Sequence, residues 1–360
     1  MQVRVPRIVR DVIDRNPDYA PAMKGALESL AASIEDNAPL PPPAPPAPDV
    51  GAWTAAHAEH AGETWLDAEW FHAELAVYRE LAGCVRFWET DRDPFTRAKD
   101  EELASDRLWS RLSAGLAAQG SREERLAGLL DACLWGNRVD LSYAVDSGHD
   151  RRDEDMLVDE RPRAAGRLAR GGRIEVLSDN TGTELALDLA LVDAILEDTR
   201  SRVTLHLKSQ PVFVSDALPR DVLRLLERMD ARGGDARGLG GRLCAAFAAG
   251  RLRLAPDPFW SGPRFLWEAP VHIAGALASA DLVLVKGDAN YRRLVGDGVW
   301  PERASFADAA CWVGTAVVCA RTLKSDAMVG LPEGLAARLD AESARWRIDG
   351  RRGLLQACRM

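Results

Sequence analysis

At 360 residues, with 47% apolar and 28% charged side chains, the chain can bury a sizeable core. It reads as an ordinary soluble globular protein of two domains, or of one large domain with an appended subdomain. A formal net charge of -9 argues against a nucleic-acid partner, since gripping a phosphate backbone takes a basic stripe and none stands out. A small anionic substrate stays compatible with that acidity, because a bound cation reverses the local charge.

The six cysteines are scattered, with no CxxC pair and no zinc spacing, and the six histidines lie far apart. The opening MQVRVPRIVRDVIDR carries charges where a signal peptide needs an apolar core, and no run approaches the length of a membrane span. These features predict reduced thiols, a cytoplasmic location and no membrane partner.

In chain order, residues 7 to 36 read as two short amphipathic helices, and LPPPAPPAPDV (Leu40 to Val50) as an extended, polyproline-like strap. From Trp53 to Leu141 apolar residues recur at i, i+3 and i+4 with few β-branched runs, which predicts a helical subdomain. Trp70, Phe71, Leu75 and Tyr78 form one stripe there, expected to be core. LLDACLWGNRVDLS (Leu129 to Ser142) ends a helix in a Gly-Asn pair, where Asn137, Arg138 and Asp140 brace that end or face a site.

A charged loop from Asp150 to Arg163 precedes a change of texture to alternating β-rich and helical runs, the signature of an α/β domain. The β-rich runs are IEVL (Ile174 to Leu177), VTLHL (Val203 to Leu207), PVFV (Pro211 to Val214), RLRLA (Arg251 to Ala255), DLVLV (Asp281 to Val285) and TAVVCA (Thr315 to Ala320). Helices are predicted at 183 to 198, 219 to 231, 241 to 249 and 290 to 295, with Arg232 to Gly241 a mobile Gly/Arg loop. The organisation expected is 1–50 for the first helices and strap, 51–150 for the helical subdomain and 151–360 for the α/β domain.

The stretch RIEVLSDNTGTEL (Arg173 to Leu185) runs strand, polar corner, helix, and Thr181 with Glu184 has the spacing of a capping box. Polar clusters also close three later runs: Ser215 and Asp216, then Lys286, Gly287 and Asp288, then Arg321, Thr322 and Lys324. Ligands of open α/β sheets bind outside the carboxyl ends of the strands, so four such clusters converge on one crevice. One alone would be no more than a helix cap.

Asp179, Asn180 and Asp216 supply an all-oxygen set suited to magnesium or manganese. Lys324, Arg321 and Lys286 add positive charge fit for a phosphate, and Asp288 is placed to relay a proton or grip a hydroxyl. Metal-assisted phosphoester hydrolysis follows. DNTGT is similar to the phosphorylated-aspartate motif DKTGT of ion-pumping ATPases, and VGDGVW to a metal loop of haloacid-dehalogenase phosphatases. The chain lacks the second acid two residues after Asp179 that the latter use. GLGG (Gly238 to Gly241) follows a charged loop, so it is a poor dinucleotide or methyl-donor loop.

SDNTGTEL, PVFVSD, KGDANYRRLVGD and ARTLK together resemble the signatures of the damage-control phosphatases, once called domain of unknown function 89. The likeness is to their third subfamily, the acidic-residue-methyltransferase-like proteins, whose RTxK motif is met by Arg321, Thr322 and Lys324. DPFTRAKDEEL (Asp93 to Leu103) and LWGNRVDLS (Leu134 to Ser142) extend it over most of the chain after Trp65, leaving the first forty residues and the strap uncovered.

The resemblance implies a three-layer α/β/α domain with a Rossmann-like sheet and an N-terminal helical subdomain. It implies a phosphatase acting on sugar phosphates such as fructose 1-phosphate and fructose 6-phosphate, with manganese, cobalt, nickel or magnesium. By position, Asp179, Asn180 and Asp216 match the metal ligands, Asp288, Asn290, Tyr291 and Arg292 the substrate motif, and Lys324 the phosphate-binding lysine. Val212 departs from the family's aromatic before FVSD. The alternatives are an S-adenosylmethionine-dependent protein-glutamate methyltransferase, which no methyl-donor loop supports, and a non-catalytic metabolite-binding protein.

Overall fold

In the computed structural model, which describes residues 1–136 and 155–360, the apolar runs of the second half become strands of one sheet. In chain order they are β1 (Met156–Asp159), β2 (Arg173–Leu177), β3 (Arg202–Lys208), β4 (Leu252–Asp257), β5 (Leu282–Lys286), β6 (Ala316–Thr322) and β7 (Gly353–Cys358). The spatial order is β1-β7-β6-β5-β2-β3-β4. Every neighbouring pair is parallel except β6 with β7.

Strand periodicity sorts the side chains between two cores. Ile174, Val176, Leu282, Leu284 and Val318 join helices Arg122–Gly136, Gly182–Leu196, Pro219–Arg232 and Gly234–Ala248 on one face. Leu177, Val283, Val285, Val317 and Cys319 join helices Val271–Ala278, Gly287–Val295 and Phe306–Ala310 on the other. The result is a three-layer α/β/α domain. Between β2 and β5 the winding reverses direction, the switch point at which such sheets open a crevice.

Helices Arg4–Arg15, Pro21–Glu35, Val50–Glu59 and Trp70–Cys84 bury Val9, Leu27, Phe71 and Leu81 in a separate core, which also takes in Val212 and Val214. The helical part therefore grips the loop after β3. The Pro-rich strap is tied to the same bundle by Arg79 Nη2, which donates to the Ala44 carbonyl at 3.2 Å.

Several sequence expectations need correction. PVFV forms no strand: Phe213 and Val214 have φ of 49° and 68°, a left-handed turn that β-propensity cannot anticipate because packing of both residues imposes it. The Gly/Arg stretch is largely helix, Gly234–Ala248, with Ala236, Leu239, Leu243 and Ala246 buried at helical spacing. Part of the charged loop folds as β1 and helix Arg161–Ala169, and β7 near the carboxyl terminus was not foreseen. Asn137, Arg138 and Asp140 lie outside the described residues.

Candidate active site

Asp179 and Asn180 leave β2 at the switch point, and the loop carrying Asp216 is bound beside them backbone to backbone. Thr181 N donates to Ser215 O at 2.7 Å, Ala217 N to Asp179 O at 2.8 Å, and Asn180 and Asp216 form an isolated antiparallel bridge. Two loops distant in sequence are thus held in fixed register. Asn180 is oriented as well: its Nδ2 donates to Asp179 Oδ2 at 2.9 Å and Glu184 Oε2 at 3.0 Å, while its Oδ1 accepts from Ser215 Oγ at 2.6 Å.

Asp179, Asn180, Asp216, Asp288, Arg292 and Lys324 all line one cavity of about 460 Å³. Burial, with the charges of Glu184 and Asp216 adding to it, pushes the Asp179 carboxyl well above its ordinary range despite Lys208 and Lys324. Asp288 goes the other way. Burial raises it, but Arg321, Arg292 and the Lys324 amide prevail and hold it below the usual carboxylate range. Its Oδ1 accepts from Arg321 Nε at 2.7 Å and from Lys324 N at 3.0 Å, so it stands as an anion that fixes the Lys324 backbone.

Two carboxylates and an amide oxygen on one wall make a hard donor set, and a divalent cation would relieve the charge conflict at Asp179, so the residues fit such an ion. Among the described residues no group of three or more His, Cys, Asp and Glu side chains is placed to hold an ion by itself.

Other sequence candidates stand behind the wall rather than on it. Asn290 Nδ2 donates to the carbonyls of Ser178 at 2.9 Å and Lys286 at 2.9 Å, bracing the corner before Asp179. Tyr291 is buried under Arg321, which lies 4.3 Å from its ring centroid, and its hydroxyl donates to Gln356 Oε1 at 3.1 Å. Arg321 is fully buried, its guanidinium spent on Asp288, Ser325 and the Ala327 carbonyl.

Lys286 does not add charge to the crevice as expected. It is fully buried between Glu184 Oε1 at 2.7 Å and Asp188 Oδ1 at 2.8 Å. That pairing also undoes the predicted capping box, for Glu184 faces Lys286 and Asn180 while Thr181 makes no side-chain cap. Glu102 Oε1 accepts from Thr183 N at 2.7 Å instead.

A model of the damage-control phosphatase ARMT1-like domain matches residues 1–339. The chain belongs to that family. Its match includes the first forty residues and the strap, which the motif resemblance had left uncovered. The damage-control phosphatase ARMT1 of Xenopus laevis is 29% identical over 339 residues, which span 82% of this chain and 76% of that protein. The mouse protein of the same name is 29% identical over 327 residues, 81% of this chain and 74% of its own. A solved DUF89 family protein from Pyrococcus horikoshii superposes with a TM-score of 0.51 at 14% identity, covering 94% of this chain and 93% of that one. This last likeness supports the fold.

Within this family member, several residues of the site and of the layer behind it were given no site role by the reading of the sequence. Lys208, at the carboxyl end of β3, sets its Nζ 3.3 Å from Asp216 Oδ2 and donates to Asn290 Oδ1 at 3.2 Å. The strand-end rule that singled out Lys324 applies equally to it. Arg4, Trp70, Glu74 and Asp297 line the cavity; Asp297 closes the KGDANYRRLVGD signature, whereas the other three come from helices with no local signal. Trp70, expected in the core with Phe71, Leu75 and Tyr78, is 37% exposed and faces the cavity, whereas the other three are buried.

Proposed function

We propose that this protein is a divalent-metal-dependent phosphatase that hydrolyses small phosphorylated metabolites of the sugar-phosphate class, fructose 1-phosphate and fructose 6-phosphate among them. The observation that carries the reading is the locked pair of loops that presents Asp179, Asn180 and Asp216 on one wall of a cavity to which Lys324 also contributes. Asp179, Asn180 and Asp216 would hold manganese, cobalt, nickel or magnesium. Such an ion polarises phosphate oxygens and sharpens a water as nucleophile.

The chain's own groups do the rest. Lys324 offers an ammonium to the phosphate, and its backbone is pinned by Asp288. Asp288, kept ionised, accepts a proton from a water or grips a substrate hydroxyl. Asn290, Tyr291 and Arg321 act through these residues as supports. The reading places the work in the cytoplasm, a setting supported by six free thiols.

Phosphate release from a panel of sugar phosphates, with manganese or with EDTA, tests it. Manganese-dependent release is expected, and Asp216→Ala should lower it by at least about a hundredfold. Wild-type protein that releases nothing in manganese, or an Asp216→Ala variant as fast as wild type, would sink the reading.

A further inference from the structure

The loop that delivers Asp216 is strained, and part of what holds the strain is the Pro-rich strap. The loop leaves β3 after Lys208 and returns at Asp216, and on the way Phe213 and Val214 take φ of 49° and 68°. A left-handed backbone is disfavoured for any side chain and most of all for a β-branched one, so Val214 stays there only while its surroundings over-determine it. A turn free to relax would carry Ser215 and Asp216 out of register with Asp179.

The surroundings come from the helical part. Val212 and Val214 are buried in its core, and the Phe213 ring centroid lies 5.2 Å from that of Tyr78. At the root of the loop, Gln210 Nε2 donates to Asp49 Oδ2 at 3.2 Å, and both side chains are buried. Asp49 belongs to the strap, and it is fixed in turn by Arg79, whose Nη2 stands 3.5 Å from Asp49 Oδ1 and 3.2 Å from the Ala44 carbonyl. The Arg79 guanidinium is itself buried, 5.6 Å from the ring centroids of both Trp53 and Trp88. Ala44 and Asp49 are thus two pinned points on a segment whose prolines fix φ. A stiff segment pinned twice passes its position on to what it touches, here the loop at Gln210.

Resting on the assignment of Asp216 as a metal ligand, we infer that the Pro-rich strap is a clamp on the metal-site loop, with Asp49 and Gln210 as positioning residues for Asp216. Neither side chain lines the cavity. They act through the loop backbone, whose register with the Asp179 corner is set by Thr181 N on Ser215 O and Ala217 N on Asp179 O. The strap, which takes no part in the reaction, thereby acquires a role in holding the site together.

Hydrogen exchange in EDTA, read by mass spectrometry on fragments, tests the clamp without metal or turnover. Gln210→Met cuts the strap from the loop and leaves Asp49 beside Arg79, while Asp49→Asn loosens the strap's own end. In each variant the fragments holding the Thr181 and Ala217 amides should exchange at least about tenfold faster than in wild type, with fragments from β5 and β6 within about twofold. Manganese affinity, read by calorimetry, should fall at least about tenfold in step. Exchange unchanged in both variants overturns the inference, and so does a rise shared equally by the whole sheet, which is the mark of a general loss of stability. Full manganese affinity in Gln210→Met beside a wild type that binds the ion overturns it too. Asp49→Asn keeps the test open if Gln210→Met fails to fold. If exchange behaves as expected but wild type binds no manganese, the clamp on the loop stands and the metal reading of Asp216 falls.

Discussion

Lys99 donates its ammonium to the backbone carbonyl of Asp216 at 3.0 Å, and so ties the helical part of the chain directly to the residue proposed to complete the metal site. The same nitrogen meets Asp93 Oδ2 at 2.8 Å and Asp221 Oδ2 at 2.7 Å, and all three side chains are buried. DPFTRAKDEEL is thereby explained: Asp93 and Lys99 are the two ends of a brace for the loop after β3. Replacing Lys99 with Met strands two buried carboxylates, and a loss of about 3–5 kcal/mol is expected in urea unfolding. A loss under about 1 kcal/mol would mean that the brace is not carrying the loop.

Lys324 and Lys286 both stand at the carboxyl ends of strands, yet they should fail in different ways. Lys324→Met should lower kcat/KM for a sugar phosphate by about ten- to a hundredfold with little change in melting temperature, since it removes a cation that lines the cavity. Lys286→Met should leave Glu184 and Asp188 buried without their cation and cost about 3–5 kcal/mol. Assays and unfolding curves on the two variants side by side decide it, and equal loss of stability in both would contradict the assignment.

Gly287 begins the helix after β5 with φ of +78°, and a Cβ there would fall 1.9 Å from Asp179 Oδ2. The Asp179 carboxylate, proposed as a metal ligand, lies against the Cα of this residue, where only glycine leaves room. Gly287→Ala should therefore displace Asp179 and weaken manganese binding by at least about tenfold, read by calorimetry. Unchanged manganese affinity would place Asp179 elsewhere.

The raised Asp179 pKa has a definite sign in stability. The folded protein keeps a proton there that the unfolded chain releases near its ordinary value of 3.8, so this group's contribution to stability is present at low pH and is lost as pH rises through the raised value. In EDTA, wild type should therefore lose stability relative to Asp179→Asn as pH climbs from about 4 toward neutrality. Manganese should cancel that trend, because the cation replaces the proton. Parallel melting-temperature profiles of the two proteins from acid to neutral pH, with and without metal, check this, and identical slopes in EDTA would refute it.

The sequence by itself determined the strands that carry the site. IEVL, VTLHL, DLVLV and TAVVCA are short apolar runs whose alternate residues fill two cores, and the polar residues that follow them must emerge at one edge of a parallel sheet. That placed Asp179, Asn180, Asp288 and Lys324 together without coordinates, and motif likeness supplied the family. β7 and the first half of the helix Gly234–Ala248, whose second half the predicted helix at 241 to 249 covers, were missed because glycines and charges mask their periodicity, and PVFV was misread because its φ angles are set by neighbours in the helical core.

Only the tertiary structure decided which way each charge points. Lys286 and Lys324 are alike in sequence, each at the carboxyl end of a strand, but the partners on offer differ: Glu184 and Asp188 draw Lys286 into the helix layer, while Asp288 pins the Lys324 backbone at the cavity. Glu74 and Trp70 reach the site from a helix about a hundred residues upstream of Asp179, because its core also buries Val212 and Val214. Direction of a side chain depends on where its counter-charge lies in space, and that information is distributed over the whole fold rather than written beside the residue.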